Sequence, residues 1–95
     1  MRTHVLLNSG DSVVTALTEL DSGTSLTVEL VSGPLDVTVS SEIPYAHNIA
    51  VRAMTVGDPV VKYGEVIGIA SQNIAPGDWV HVHNVESARA RGDMA

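Results

Sequence analysis

The residues best equipped for chemistry fall in one run, Gly77-Asp78-Trp79-Val80-His81-Val82-His83-Asn84. As a strand, this run would place Trp79, His81 and His83 on one face and Val80 and Val82 on the other. With the valines turned to the core, an indole and two imidazoles would line an exposed face or a cleft. Two histidines at i and i+2 can bind one divalent metal, and neutral imidazole suits Zn, Fe, Mn or Ni. A catalytic metal needs a third protein ligand, and the candidates are His47, His4 and Glu86. The spacing fits equally well two solvated or hydrogen-bonded histidines on an edge strand. Trp79 could be core, an interface anchor or a platform for a sugar ring.

A second candidate is Glu42-Ile43-Pro44-Tyr45-Ala46-His47-Asn48. A histidine after a proline-initiated turn could sit at a helix N-terminus, where unpaired backbone N–H groups favour an anionic ligand. The plainer reading is a turn or helix capped by Asn48. Lys62 and Tyr63, just before Gly64, could offer a cation and a phenol to a carboxylate substrate, or could simply be solvated at a hairpin. Other chemistries are missing from the sequence. No glycine-rich loop leads into a helix, no Gly-x-Ser-x-Gly occurs, and the acids are spread singly, against nucleotide, serine-hydrolase and glycosidase motifs. The His-x-His pair also invites a cupin-type metal barrel, against which stand the 12 residues after His83 and a Glu86 that comes sooner than that motif wants.

The elements that must hold these side chains are short strands. Fifteen valines and seven threonines make a β-branched chain, which suits pleated, half-buried surface. Period-2 alternation appears in Thr27-Val28-Glu29-Leu30, in Asp36-Val37-Thr38-Val39-Ser40 and in Val80-His81-Val82-His83. Residues 16–20 and 48–54 read either as short helical turns or as strand corners. Lys62-Tyr63-Gly64-Glu65-Val66-Ile67-Gly68 reads as a tight hairpin. A pattern also repeats: Ala16-x3-Leu20-x2-Gly23-x2-Leu26 recurs from Ala50 to Val60 and from Ala70 to Val80. Its starts lie 34 and then 20 residues apart, so it is no solenoid. Each copy has its glycine in a turn, and Pro76-Gly77 predicts a type II turn. Three similar strand–turn–strand corners in one small, mostly β domain account for it.

Composition narrows the setting. The chain has 95 residues, 11 acidic and 5 basic side chains for a net charge of −6, no cysteine and three aromatic residues. That is close to one domain of about 100–150 residues, burying only about 60–65% of its unfolded surface. Without cysteine there is no disulfide framework and no thiolate metal site. Five scattered cations make no phosphate-binding stripe and three aromatics make no base-stacking platform, which excludes nucleic acid. Val5-Leu6-Leu7 is too short for a signal peptide or membrane anchor. These features predict a cytoplasmic domain over residues 3–86, followed by a flexible tail over 87–95.

Val60-Val61-Lys62-Tyr63-Gly64-Glu65-Val66-Ile67-Gly68, followed by Ile74-Ala75-Pro76-Gly77-Asp78-Trp79-Val80-His81-Val82-His83-Asn84, resembles the altronate/galactarate dehydratase family. The likeness is to that family's N-terminal SAF-type β-clip domain. Residues 11–17 through Gly23, and His47 through Gly57, match the same pattern in the same order. The resemblance implies a small subunit of a sugar-acid hydro-lyase, or of the related sulfolactate sulfo-lyase, or a non-catalytic sugar-acid-binding module. It implies His47, His81 and His83 as catalytic residues, Asn84, Lys62 and Tyr63 as substrate contacts, and His81 and His83 as metal ligands shared with a partner. The implied cofactor is a divalent metal, iron or manganese, held mainly by a large catalytic subunit. A homo-oligomer stays open. One departure stands out: the family usually has Gly-His-Lys where this chain has Ala46-His47-Asn48. The missing lysine leaves carboxylate recognition at that spot uncarried. Too little core for a self-sufficient enzyme predicts that the chain alone is inactive.

Overall fold

The computed structural model describes residues 3–87; of the tail expected over 87–95, all but Ser87 lies outside them. Nine strands run β1 (His4–Val5), β2 (Val13–Ala16), β3 (Ser25–Leu30), β4 (Gly33–Thr38), β5 (Asn48–Ala50), β6 (Pro59–Lys62), β7 (Glu65–Ala70), β8 (Trp79–Val80) and β9 (Val85–Glu86). They form three antiparallel sheets, ordered β1-β2-β5-β8, β3-β4 and β6-β7-β9. The mostly β expectation holds. No helix forms among the described residues, so the helical alternative for 16–20 and 48–54 is corrected. Both stretches are a strand end followed by a bend, as the β-branched residues around them favour.

Alternation gives the β3–β4 hairpin one buried face: Leu26, Val28 and Val37 are buried while Thr27, Glu29 and Asp36 face outward. The middle of the main sheet is buried on both faces. Val14 and Ile49 belong to one apolar cluster with Leu20, Leu26 and Ile43, whereas their chain neighbours Val13 and Ala50 belong to a second with Met54, Val60 and Val80. Strands β2 and β5 therefore divide two small cores.

The repeat is the framework of the fold, and it has four copies rather than three. Val39-x3-Ile43-x2-Ala46-x2-Ile49 repeats the spacing with valine and alanine in place of alanine and glycine. In all four copies the first, second and last positions are buried. The third position has positive φ throughout: 89° at Gly23, 70° at Ala46, 96° at Gly57 and 95° at Gly77. Copies pair reciprocally. Leu20 and Ile43 exchange both backbone hydrogen bonds, and so do Met54 and Ile74. The turn N–H of each copy donates to the carbonyl of its partner's first residue: Gly23 to Val39, Ala46 to Ala16, Gly57 to Ala70 and Gly77 to Ala50. Each turn is closed by its own bond, Asp78 N–H to the Ala75 carbonyl in the last copy (3.0 Å), as expected for a β-turn. Two locally two-fold clips result.

Ala46 is the one corner residue with a Cβ in the left-handed region, a conformation costing a non-glycine residue about 1–2 kcal/mol. Ala46→Gly should therefore raise stability by about 0.5–1 kcal/mol, once the extra unfolded-chain entropy of glycine is subtracted. Urea unfolding would register this as a higher midpoint. An unchanged or lower midpoint would show that the corner carries no strain.

Asp11 does structural work that its place in the sequence does not announce. Its carboxylate is fully buried and accepts the N–H groups of Tyr63 (3.0 Å) and Gly64 (2.9 Å). Those two residues are the tip of the β6–β7 hairpin, with φ of 59° and 73°, and Lys62 pairs with Glu65 across it. Two positive φ values in a two-residue loop make a type I′ turn, and the buried carboxylate holds both N–H groups of its tip.

Candidate functional site

Strand β5 pairs with β8 in the register Asn48↔Val80 and Ile49↔Trp79. One residue beyond that ladder, His47 falls opposite His81. Their ring centroids are 4.7 Å apart, and both rings meet the indole of Trp79. His81 stacks on it at 5.3 Å and 7°, His47 lies 5.5 Å away at 46°, and His83 lies 5.2 Å away at 48°. Three imidazoles thus gather around one tryptophan. Trp79 is half-buried and packs against the first core, which fixes the centre of the cluster while the rings stay near solvent.

The strand alternation expected for residues 79–83 does not hold. β8 ends at Val80, and Val82 is 80% exposed rather than turned to the core. The buried Asn84 is the reason. Its side-chain oxygen accepts the His81 N–H (3.0 Å) and its amide donates to the Trp79 carbonyl (2.9 Å). The Asn84 N–H also bonds the His81 carbonyl, so residues 81–84 form a turn leading into β9. An asparagine side chain satisfying backbone groups in this way competes directly with a continuing strand. Asn84 was expected to touch substrate; here its amide is spent on the loop that presents His81.

His81 and His83 open onto different recesses. One, about 240 Å³, is lined by Asn48, Ile67, His81, Val85 and Glu86 among others. The other, about 210 Å³, includes Ser40, Gln72, Asp78, Trp79 and His83. Both fall below the range of about 300–1,000 Å³ that encloses a small ligand. Lys62 and Tyr63 line neither recess; they stand at the hairpin tip, with Lys62 Nζ 6.0 Å from the Tyr63 ring centre. His4, a candidate third ligand, is engaged away from the cluster by Thr3 Oγ1 and the Thr27 carbonyl. Among the described residues no three His, Asp or Glu side chains converge as a metal site.

His47 owes its freedom to the repeat. The residue after the positive-φ position is Thr24, Asp58 or Asp78 in the other copies, and each bonds its own turn. Thr24 Oγ1 donates to the Asp21 carbonyl, while Asp58 and Asp78 accept the N–H of Thr55 and Ala75. In the second copy that place belongs to His47, whose ring faces away from its turn and accepts the indole N–H of Trp79 at Nδ1 (3.0 Å).

Residues 2–88 match the model of the altronate/galactarate dehydratase SAF domain. The chain belongs to this family. It is 34% identical over 87 residues to altronate dehydratase of Bacillus subtilis, covering 92% of this chain and 17% of that protein. It is 40% identical over 55 residues to (2R)-sulfolactate sulfo-lyase subunit alpha of Chromohalobacter salexigens, covering 58% of each. The corresponding subunit of Paracoccus pantotrophus is 38% identical over 53 residues, covering 56% of this chain and 79% of that subunit. The chain therefore spans about a sixth of the altronate dehydratase it matches. In this SAF domain, no helix among the described residues is long and apolar enough to cross a membrane.

Proposed function

We propose that this SAF domain is the small component of a sugar-acid dehydratase of the altronate/galactarate type, and that it lends His47 and His81 to a site completed by a larger catalytic chain. The supporting observation is the cluster itself: two imidazoles 4.7 Å apart around one indole, with His81 beside a recess too small to enclose a substrate. The reaction removes a proton from the carbon beside a carboxylate and expels hydroxide from the next carbon as water. Positioned proton donors and acceptors speed such steps, and imidazoles are suited to both. A divalent metal, iron or manganese by the resemblance, would be held mainly by the larger chain and would stabilise charge on the carboxylate side. With a net charge of −6 on this chain, the cations for the substrate carboxylate would come mostly from that larger chain too.

A second reading has support of its own. The 40% and 38% identities to sulfolactate sulfo-lyase alpha subunits favour sulfite as the leaving group in place of water. The experiment is to purify the chain alone and with the neighbouring large gene product, then assay altronate, galactarate and sulfolactate. No turnover by the chain alone and turnover by the pair is the expected result, and the productive substrate names the leaving group. Turnover by the isolated chain would overturn the subunit reading.

A further inference from the structure

We infer that Trp79 is a positioning residue that sets the tautomer of His47, so that His47 meets its ligand as a hydrogen-bond donor through Nε2. Indole Nε1 can only donate, and it lies 3.0 Å from His47 Nδ1. An acceptor at that position carries no proton, and a neutral imidazole has one proton to place. It therefore sits on Nε2. Which nitrogen is protonated follows from the bond that the other one makes, and here that bond is internal to the chain.

The donor is well anchored. The Trp79 backbone is tied on one side by the β5 ladder through Ile49 and on the other by the Asn84 amide on its carbonyl. Its ring is stacked on His81 and packed against the first core. The acceptor is held as well, because the His47 carbonyl receives the Ala16 N–H and its own N–H closes the Pro44 turn. Both partners of the 3.0 Å bond are fixed by backbone contacts independent of it, so the tautomer is set before any ligand arrives. What Nε2–H addresses is an anionic oxygen, such as a carboxylate or a departing hydroxyl. In this state Nε2 is neither a base nor a metal ligand, which separates the role of His47 from that of His81.

That last assignment rests on the proposed function, whereas the tautomer rests on this chain alone, and the test is chosen to keep them apart. The full chain, uniformly labelled with nitrogen-15, is studied by long-range nitrogen–proton correlation at about pH 8.5, well above the ordinary imidazole value of about 6.5. His47 should show a bare Nδ1 and a protonated Nε2, with a coupling between Trp79 Nε1 and His47 Nδ1 across their hydrogen bond. Trp79→Phe keeps an aromatic ring but removes the donor. It should shift the His47 ring nitrogens toward the averaged values of a solvated imidazole, while backbone signals away from the cluster stay in place. If the variant does not fold, the cross-hydrogen-bond coupling in the native chain decides. A proton on Nδ1 in the native chain, or ring nitrogens unmoved by Trp79→Phe in a folded variant, would overturn the inference. None of these readings depends on turnover, so a failed assay of the assembled enzyme leaves the tautomer standing, and the reverse holds too.

Discussion

Gly77→Ala should remove about 3 kcal/mol of stability, whereas the same change at Gly57 should remove only about 0.5–1 kcal/mol, the left-handed strain less the unfolded-chain entropy of glycine. The two positions have nearly the same backbone, with φ of 95° and 96°, so the left-handed strain is common to both at about 1–2 kcal/mol. Their surroundings differ. A Cβ at Gly57 would meet nothing within 4 Å, while one at Gly77 would overlap the carbonyl of Thr38 at the end of β4. That carbonyl is backbone and cannot rotate away. The turn cannot retreat either, because Gly77 N–H bonds Ala50 and the Gly77 carbonyl receives the Ser40 N–H (2.8 and 3.0 Å). Overpacking of this kind costs about 1–3 kcal/mol. For a domain of this size each kcal/mol shifts the midpoint by about 4–8 °C, so Gly77→Ala should melt roughly 12–24 °C lower. Thermal unfolding of both variants checks it. Equal losses would mean that the clip has room to open at Gly77.

The clip also shows what could be read from the chain. Three copies are legible because alanine and glycine mark them, and their turns and the hairpin over residues 62–68 are found as expected. The second copy escaped because the fold constrains a small buried residue and a positive φ, not those two residue types. Val39 and Ala46 meet the first and strain to meet the second. Its apolar spacing, Val39, Ile43 and Ile49, was the available signal. The cluster was half legible. Val80-His81-Val82-His83 was read as a strand from its alternation alone, and the side chain that ends the strand, Asn84, acts three residues after His81 through backbone bonds that no periodicity records. His47 reaches Trp79 from 32 residues away in sequence, through the β5–β8 register, which local pattern does not contain. Asp11 was invisible for the same reason, since its partners lie 52 and 53 residues on.

In the proposed assembly with a larger catalytic chain, His47→Ala should lower kcat by about 10²–10³-fold, the loss typical of removing one donor that stabilises developing charge. An interaction made mainly in the transition state lowers kcat and kcat/KM together, so KM should move little. The domain itself should survive, because His47 is half-buried and belongs to neither core. Losing its bond from Trp79 costs about 1 kcal/mol, against about 5–15 kcal/mol for a whole domain. His47→Gln is the informative companion. Its side-chain amide can place a donor near the position of Nε2, so it should retain activity within about tenfold of native, a difference of about 1.4 kcal/mol in barrier. His83→Ala should cost less than His47→Ala, since His83 opens onto a different recess from His81 and, of the other three rings of the cluster, meets only the indole. Steady-state kinetics of the three variants, with co-purification to confirm assembly, separates the outcomes. A His47→Ala enzyme that assembles and turns over within threefold of native would remove His47 from the site. Equal losses at His47 and His83 would instead point to the whole ring cluster, held by Trp79, as the feature the larger chain requires.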